Sequence, residues 1–465
     1  MRIRLLGQYV HISVVVLALI EASLFFAMMY GAVFLRLQDD LAEMEGRYGP
    51  IWYRAALYSG IMLLCLLALG LYSARQRARA GGIVVRMAIA VTVGITLTVL
   101  AFYLVPSLTL GRGVLALAAI GSVAGLIIVR VIFSRVVDES IFKRRVLVFG
   151  TGRNAEPIAR LRRRSDRRGF SVAGFVRPDG EEVVVPAGQI INPTDGLAAT
   201  CARLDVDEVI VAMNDRRREF PILELLECRL AGIDVTDLLT FLERETGCVR
   251  IDVLNPSWMI FGEGFRRSSL RLLSSRIVDV VASGLIVIVT LPVMLLTVLA
   301  IKLEDGFRAP VFYGQVRVGL NGSTFRVLKF RSMRIDAERN GAQWAVKGDS
   351  RVTRVGSFIR KTRIDEIPQI LCVLRGHMSF VGPRPERPEF VAEFSQKIPY
   401  YQQRHCVKPG ITGWAQLCYP YGSSEKDAVE KLQYDLYYIK NNTLLFDLAI
   451  LLQTVEVVVM GQGAR

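Results

Sequence analysis

Residues 277–302 read IVDVVASGLIVIVTLPVMLLTVLAIK, an apolar stretch with one aspartate near its start and a lysine at its end. The stretch exceeds the ~20 residues that a helix needs to cross a bilayer. Pro292 lies near the middle, where proline removes a helical hydrogen bond and can break the helix. A simple span would place the chain beyond residue 310 outside the cell, whereas the motifs in that part of the chain, described below, indicate a cytoplasmic location. We therefore predict a helix, a break and a second helix that re-enters the same leaflet; a kinked transmembrane helix is the alternative.

Four further apolar runs occupy the first 135 residues, and each is close to the length of a membrane span. The loop between the first two is acidic, whereas the loop between the second and third and the segment after the fourth are rich in arginine and lysine. Basic loops stay in the cytoplasm. We therefore predict a four-helix transmembrane domain over residues 1–135, with both ends in the cytoplasm and the runs at residues 11–34, 51–71, 84–105 and 113–133.

Composition supports a membrane protein with basic cytoplasmic faces. The chain has 465 residues, is 52% hydrophobic and carries a formal charge of +15. Zinc-finger spacing, RNP-like aromatic motifs and basic helices leading into heptads are all absent, which argues against a nucleic acid partner. Acidic membrane lipid and phosphorylated substrates are the better partners. The seven scattered cysteines contain no CxxC, so we predict neither disulfides nor structural zinc.

Residues 144–250 show strands alternating with helices, which predicts a Rossmann-like, doubly wound α/β domain. A buried strand leads into Gly150-Thr-Gly152, a turn that in such folds can hold a pyrophosphate. The third glycine of the motif is replaced by Ala155, and no ribose-binding acid is evident. A bound nucleotide and a purely structural turn therefore both stay open. The nearby arginines either face lipid headgroups or form a solvated surface; they are Arg162, Arg163, Arg164, Arg167 and Arg168.

The chain beyond residue 310 is polar and dense in motifs. Asp365-Glu366 lies among cations, which favour an ionised carboxylate that can attack phosphorus beside a neighbour that can help to hold Mg²⁺. Taken alone, an Asp-Glu dipeptide in a basic stretch is more often a surface ion-pair site. Lys329 and Arg331 lie two apart on a predicted strand, so they share a face suited to a phosphate, or form a salt-bridged sheet edge. In Pro383-Arg384-Pro385 two prolines stiffen the backbone around an arginine. Gly410 and Gly413 are predicted to shape a turn.

This series of motifs resembles the bacterial sugar transferase family, whose long members are called polyprenyl glycosylphosphotransferases. The motifs run in collinear order through residues 270–465: Arg317 to Gly322, Phe325 to Met333, Arg360 to Ile370, Ser379 to Pro385 and Lys408 to Trp414. The resemblance implies a C-terminal monotopic phosphoglycosyl transferase domain with a re-entrant membrane helix at 277–302. The four N-terminal helices and the α/β domain resemble the extra modules of the long members.

The resemblance also assigns roles to residues. It implies that Asp365 is the nucleophile and that Glu366 is a ligand of Mg²⁺. It places Lys329, Arg331 and Arg360 at the active site as substrate-binding residues. Arg384 becomes a candidate ligand for the phosphate or the uracil of UMP.

The implied reaction transfers a hexose 1-phosphate from a UDP-sugar to undecaprenyl phosphate through a covalent aspartyl intermediate and releases UMP. The product would initiate an exopolysaccharide, capsule or O-antigen unit at the bacterial inner membrane, with the catalytic domain facing the cytoplasm. No residue identifies the hexose. The oligomeric state is also open, and a homodimer is compatible with the sequence.

Two other functions are alternatives to a sugar transferase. A membrane-anchored, NAD-dependent sugar-nucleotide dehydratase requires Tyr-x-x-x-Lys after the glycine-rich turn, and no tyrosine beyond residue 152 has that partner. A membrane sensor or scaffold would bind a nucleotide at residues 144–250 without turnover. His377 and His405 lack a metal-ligand spacing and are interpreted as structural. The apolar residues from Thr443 to Met460 predict an amphipathic helix on the bilayer or on the protein core.

Overall fold

The computed structural model describes residues 2–459 apart from residues 6–7, 38–48, 73–79, 137–142, 161–169, 216–219, 255, 262–263, 266–267, 335–350, 420–421 and 423. The chain forms two compact units, Met1–Thr246 and Gly247–Arg465. The division into domains at residues 1–135, 144–250 and 270–465 stays a prediction. Both basic loops that orient the N-terminal helices fall wholly or partly outside the described residues, as does the arginine run at 162–168.

The first unit begins with the hairpin β1 (Arg2–Leu5) and β2 (Gln8–His11). The helices are α1 (Ile12–Leu37), α2 (Trp52–Ala68), α3 (Ala80–Leu104) and α4 (Arg112–Val136). α1 packs against α2 and α4, and α2 packs against α3. Of these, α1, α3 and α4 are long and apolar enough to cross a membrane. The second predicted span forms the helix α2, but its 17 residues are at the lower limit of the length that a helix needs to cross a membrane.

A buried ion pair fixes α1 to α4. Glu21 of α1 is fully buried, and its two carboxylate oxygens accept hydrogen bonds from Arg130 of α4 at 2.8 and 3.2 Å. The hydroxyl of Tyr72 donates to the same carboxylate. Ionisable groups within a helical bundle are tolerated when they pair with each other, so this contact is a specific lock between the two helices.

The α/β part of the first unit contains one parallel sheet. Its strands are β3 (Arg144–Phe149), β4 (Phe170–Val176), β5 (Ile190–Ile191), β6 (Glu208–Val211) and β7 (Asp234–Asp237). Its helices are α5 (Glu156–Arg160), α6 (Leu197–Arg203), α7 (Ile222–Leu230) and α8 (Leu238–Thr246). The strand order is β5-β4-β3-β6-β7, so the first strand is central and the chain winds outward in both directions. The predicted α/β fold is confirmed, although only a 3-10 turn joins β4 to β5.

The central strands carry a buried charge. Glu208 on β6 is fully buried and accepts hydrogen bonds from Arg144 at 2.7 Å, from Arg244 at 2.8 and 3.0 Å and from Thr236 at 2.6 Å. Burial alone would raise the pKa of Glu208, but Arg244 and Arg144 outweigh it and lower the pKa below its usual value. The carboxylate thus ties β3, β6, β7 and α8 together.

We predict that Glu208→Ala destabilises the α/β part by about 2–3 kcal/mol, because the partly buried guanidinium groups of Arg144 and Arg244 lose a fully buried carboxylate, although Arg244 keeps its pair with Glu245. The measurement is hydrogen exchange of β3 and β6 together with the thermal midpoint of the detergent-solubilised protein. Glu224→Ala, at an exposed position of α7, is the matched control and is expected within about 0.5 kcal/mol of wild type. Equal exchange in the two variants would contradict the role given to Glu208.

The second unit contains the remaining elements. Its helices are α9 (Pro256–Phe261), α10 (Ser269–Asp305), α11 (Arg354–Lys361), α12 (Ile370–Leu374), α13 (Pro388–Lys397), α14 (Trp414–Cys418), α15 (Glu425–Lys440) and α16 (Leu444–Val459). β8 (Phe312–Val318) and β9 (Thr324–Phe330) form an antiparallel hairpin, while β10 (Ser379–Val381) and β11 (Gly410–Thr412) form a parallel pair. The core packs α12, β10 and α15 around Val373, Met378 and Leu436.

Helix α10 corrects the predicted break. It runs for 37 residues without interruption, with Pro292 inside it. Proline removes one hydrogen bond from the ladder, and the bonds on either side maintain the helix. The middle of α10 is exposed, as shown by Leu285, Ile288 and Leu296 at 62%, 75% and 67%. The helix is therefore continuous, with a broad apolar surface that the unit leaves uncovered.

Both ends of α10 are fastened to the second unit. Near its start, Arg276 donates to the carbonyls of Val373 and Leu374, and Asp279 accepts from the Ser379 hydroxyl at 2.9 Å and the Phe380 N–H at 3.1 Å. At its end, Glu304 accepts from the N–H groups of Arg354 and Val355 at 2.8 and 3.0 Å.

Helix α16 covers the segment predicted to be amphipathic. Its Asp447 is buried, accepts from the Tyr438 hydroxyl at 2.9 Å and pairs with Arg271 at 2.5 Å. Ile450 is fully buried in the same core. The sequence left open whether this helix lies on the bilayer or on the protein core, and the structure places α16 on the core.

Candidate active site

Asp365 and Glu366 lie on a 3-10 helix, Ile364–Gln369, that directly follows α11. The chain reverses between these helices at Arg363, which adopts a left-handed conformation with φ of 57°. The turn directs Asp365 inward, where it is 9% exposed, and leaves Glu366 partly exposed. The predicted acidic pair is thus presented at the edge of the core rather than on the outer surface.

Glu366 is held by two cations from different elements. Its Oε1 accepts a hydrogen bond from Lys329 Nζ at 2.7 Å, and Arg384 Nη2 lies 3.7 Å from the same oxygen. Burial by itself would raise the pKa of Glu366, but Lys329, Arg384 and Arg363 lower it to about 2. Glu366 is therefore a permanent anion at neutral pH.

Asp365 is affected by burial as well as by its cationic neighbours. Burial raises the pKa of Asp365 above its usual value, and the charge of Glu366 acts in the same direction. Lys329 and Arg360 lower it, but less strongly. The sequence shows the cations but not the desolvation, and the desolvation has the larger effect on the pKa of Asp365. A more basic carboxylate is a stronger nucleophile once ionised, so the two adjacent carboxylates have distinct properties.

Arg331 does not share the surroundings of Lys329. Strand β9 ends at Phe330, although the N–H of Arg331 still donates to the carbonyl of Val311 at 2.8 Å. The Arg331 side chain is 6% exposed and pairs with Asp305, at the end of α10, at 2.5 Å. The structure therefore brings Asp365, Glu366, Lys329 and Arg384 together and directs Arg331 to the end of α10.

The Pro383-Arg384-Pro385 loop is held at two successive carbonyl groups. Arg404 donates to the carbonyl of Arg384 at 3.1 Å, and Arg317 donates to the carbonyl of Pro385 at 3.0 Å. Arg404 is itself buried and paired with Asp435 at 2.8 Å. The Arg384 side chain is about half exposed. The backbone is thus fixed while the guanidinium stays accessible to a ligand.

Glycines allow the backbone behind this loop to approach closely. A Cβ at Gly382 would lie 2.4 Å from the carbonyl oxygen of Lys408, and one at Gly413 would lie 2.2 Å from that of Gly382. These contacts join β10 to β11, so Gly410 and Gly413 are structural, but they do not shape the predicted turn: Gly410 lies in β11 and Gly413 has an extended backbone.

Four of the residues that support the site were missed by sequence reasoning. Glu304 caps α11, the helix that carries Arg360, and Asp305 anchors Arg331. Arg404 and Asp435 support the loop of Arg384. The only local signal was an acidic pair directly after the apolar stretch; Arg404 and Asp435 are 31 positions apart by their numbers and have no motif between them.

Within the described residues no group of three or more His, Cys, Asp or Glu side chains could hold a metal ion. None of the seven cysteines, all of which the structure describes, forms a disulfide. Burial and the nearby Arg404 lower the pKa of His405 to about 4, which fits a neutral, structural histidine. His377 packs against the ring of Phe325.

Comparison with known proteins identifies the C-terminal unit. Residues 270–461 match the profile of the bacterial sugar transferases. A UDP-glucose:undecaprenyl-phosphate glucose-1-phosphate transferase of Caulobacter vibrioides is 42% identical over 185 residues, which cover 39% of this chain and 68% of that protein. The chain belongs to the bacterial sugar transferase family. Residues 67–228 also match a profile described as a CoA-binding domain.

Two longer alignments extend the similarity. A UDP-N-acetylgalactosamine-undecaprenyl-phosphate N-acetylgalactosaminephosphotransferase of Aeromonas hydrophila is 43% identical over 241 residues, 52% of this chain and 56% of that protein. An undecaprenyl-phosphate galactose phosphotransferase of Salmonella typhimurium is 29% identical over 352 residues, 70% of each chain. The chain thus spans just over half the length of the Aeromonas relative.

We predict that Glu366 contributes a pH-dependent share of the stability of this unit. Its pKa is depressed from 4.5 to about 2, so the contribution is present above pH 4.5 and is lost as the pH falls toward 2. The maximum effect is about 3 kcal/mol by the linkage relation. Thermal unfolding of wild type and Glu366→Gln between pH 7 and pH 2.5 measures it, and the variant should show the flatter profile. Glu389→Gln, at an exposed position of α13, is the control; parallel profiles for wild type and Glu366→Gln would refute the depressed pKa.

Proposed function

We propose that this protein transfers a hexose 1-phosphate from a UDP-sugar to undecaprenyl phosphate. The observation that carries the proposal is the buried Asp365 beside Glu366, Lys329 and Arg384 in a fold unit of the sugar transferase family. The relatives described above are named for the transfer of glucose, galactose or N-acetylgalactosamine phosphates. The proposal for this chain therefore names the class of hexose 1-phosphates and no single sugar.

The proposed chemistry has two displacements. An oxygen of Asp365 attacks the sugar-linked phosphorus, a new acyl phosphate bond forms, and the bond to the bridging oxygen breaks as UMP leaves with that oxygen. A phosphate oxygen of undecaprenyl phosphate then attacks the same phosphorus and releases Asp365. The cations Lys329 and Arg384 stabilise charge that develops on the phosphates, and their fixed positions reduce the cost of orientation.

The donor set suits a divalent cation. Mg²⁺ commonly uses one or two protein carboxylates together with substrate phosphates, and Asp365 and Glu366 supply two adjacent carboxylates. Lys329 engages only Oε1 of Glu366, so the second oxygen of that residue is left for a metal. When bound, Mg²⁺ would neutralise charge on the diphosphate. Lys329 and Arg384 hold Glu366 in place for that role.

The contacts of α10 support a re-entrant arrangement. Arg276 and Asp279 fasten its first half to the second unit, and Glu304 and Asp305 fasten its end to the same unit. The apolar middle of the helix is exposed and available to lipid. Because both ends contact one globular unit, we propose that α10 bends at Pro292 without ending there, keeps both ends on one side of the bilayer and places the catalytic unit on the cytoplasmic face, where UDP-sugars are available.

The nucleophile is tested by Asp365→Asn. We expect UMP release from a UDP-sugar to fall at least about 10³-fold and the covalent phosphosugar adduct to disappear, because an amide is not a nucleophile toward phosphorus. The amide should fold well, since it removes a desolvated carboxylate. Mass spectrometry of the peptide that contains Asp365 and a UMP assay measure both effects. Asp195→Asn, at an exposed position of the α/β part, serves as the control; unchanged turnover in Asp365→Asn would exclude the mechanism.

The topology is tested with a tag after Arg465. We expect a cysteine placed there to react with a membrane-permeant maleimide only, because both ends of α10 lie on one side. A cysteine in the loop after α1 is the control on the opposite side. Labelling of the C-terminal cysteine by an impermeant reagent in spheroplasts would show that α10 spans the bilayer.

A further inference from the structure

The parallel sheet of the α/β part has a crevice at the carboxyl ends of β3 and β6. These strands are neighbours, yet the chain leaves them toward opposite edges of the sheet. Doubly wound folds bind nucleotides at this point of reversal. Gly150-Thr151-Gly152 follows β3, and Asn214 follows β6. Because residues 67–228 match a CoA-binding profile, a pyrophosphate is the ligand that the fold leads one to expect here.

A carboxylate of the chain itself occupies this crevice. Glu181 Oε2 accepts the N–H of Thr151 at 2.7 Å, and Glu181 Oε1 accepts the N–H of Asn214 at 2.8 Å. Backbone N–H groups in a glycine-rich turn are the donors that a bound phosphate uses in related folds. Both donors are therefore already satisfied by an anion.

Glu181 is held there by a strap, which we define as residues 177–185. The carbonyl of Thr151 accepts the N–H groups of Val184 and Val185 at 2.8 and 3.3 Å. The hydroxyl of Thr151 donates to the carbonyl of Glu182 at 3.3 Å. Gly180 adopts a φ of 72°, which lets the strap turn back before Glu181. The strap is thus bonded to the glycine-rich turn by side chain and by backbone.

The glycines of the turn also serve contacts within the chain. A Cβ at Gly150 would lie 2.6 Å from the backbone of Ala212, and one at Gly152 would lie 2.1 Å from the side chain of Asn214. Asn154 then bonds to Asn214 Oδ1 and to the carbonyl of Met213, each at 2.9 Å. The space that glycines provide for a pyrophosphate in other folds is filled here by the segment after β6.

We propose that Glu181 is an internal substitute for a ligand phosphate, so that the α/β part takes no CoA or dinucleotide while the strap is closed. The residues present do not fit the ligand that the profile's description implies. The proposal concerns the α/β part alone, and it stands or falls independently of the transfer reaction.

The test uses the full-length protein in detergent, with hydrogen exchange resolved to the segments around Thr151 and Asn214. CoA and ADP, each at millimolar concentration, are the probes. In wild type neither probe should change the exchange of these segments. In Glu181→Ala both amides lose their acceptor and should exchange faster by about tenfold or more, the loss of one charge-assisted hydrogen bond each. Added probe should then restore protection.

Glu182→Ala is the matched control, because its exposed carboxylate is adjacent and receives neither amide. It should behave as wild type. Should Glu181→Ala fail to fold, Glu181→Gln decides, since the amide keeps the shape of the side chain and presents a donor to one of the two N–H groups. Protection of Thr151 by CoA in wild type overturns the proposal, as does unchanged exchange of both amides when Glu181 is replaced.

Discussion

The contact between Glu366 and Lys329 is the interaction on which the catalytic arrangement depends. The 3-10 helix brings two carboxylates to one place, and strand β9 and the Pro383–Pro385 loop bring the cations Lys329 and Arg384 to the same place. Without an anion these cations would repel one another and spread apart. Glu366 supplies the anion in the free protein. An incoming phosphate therefore meets cations that are already assembled, which lowers the reorganisation needed for reaction.

The sequence predicted the members of this cluster better than their surroundings. Asp365, Glu366, Lys329 and Arg384 were found by motif, and the fold brings them together. Arg331 pairs with Asp305, and Lys329 pairs with Glu366, so the alternative of a salt-bridged sheet edge also fits; the substrate-binding role of Arg331 stays a prediction. The sequence showed the cations around Asp365 but not its burial, which raises the pKa of Asp365 and is set by the whole unit.

Other features required three dimensions. Arg404 and Asp435 meet because the 3-10 helix Tyr401–Cys406 packs against α15, and neither residue stands in a pattern that marks a partner. Glu181 contacts Thr151 although the two residues are thirty positions apart in the chain. The sequence showed the glycines of the turn but not which groups occupy the space beside them. Pro292 was expected to break the helix because proline removes one hydrogen bond. The loss of one bond did not end a helix of 37 residues, because the bonds on either side maintain it. Each failure lies where long-range packing outweighs a local preference.

The lock between Glu21 and Arg130 has a consequence for biosynthesis. The two residues are 109 positions apart, so α1 leaves the ribosome long before α4 can supply its counter-charge. A lone carboxylate in hydrocarbon is costly, and α1 cannot settle into lipid by itself without that cost. During synthesis Glu21 therefore gains its counter-charge only after α4 has been made, and the hydroxyl of Tyr72 is the earlier of its two partners along the chain.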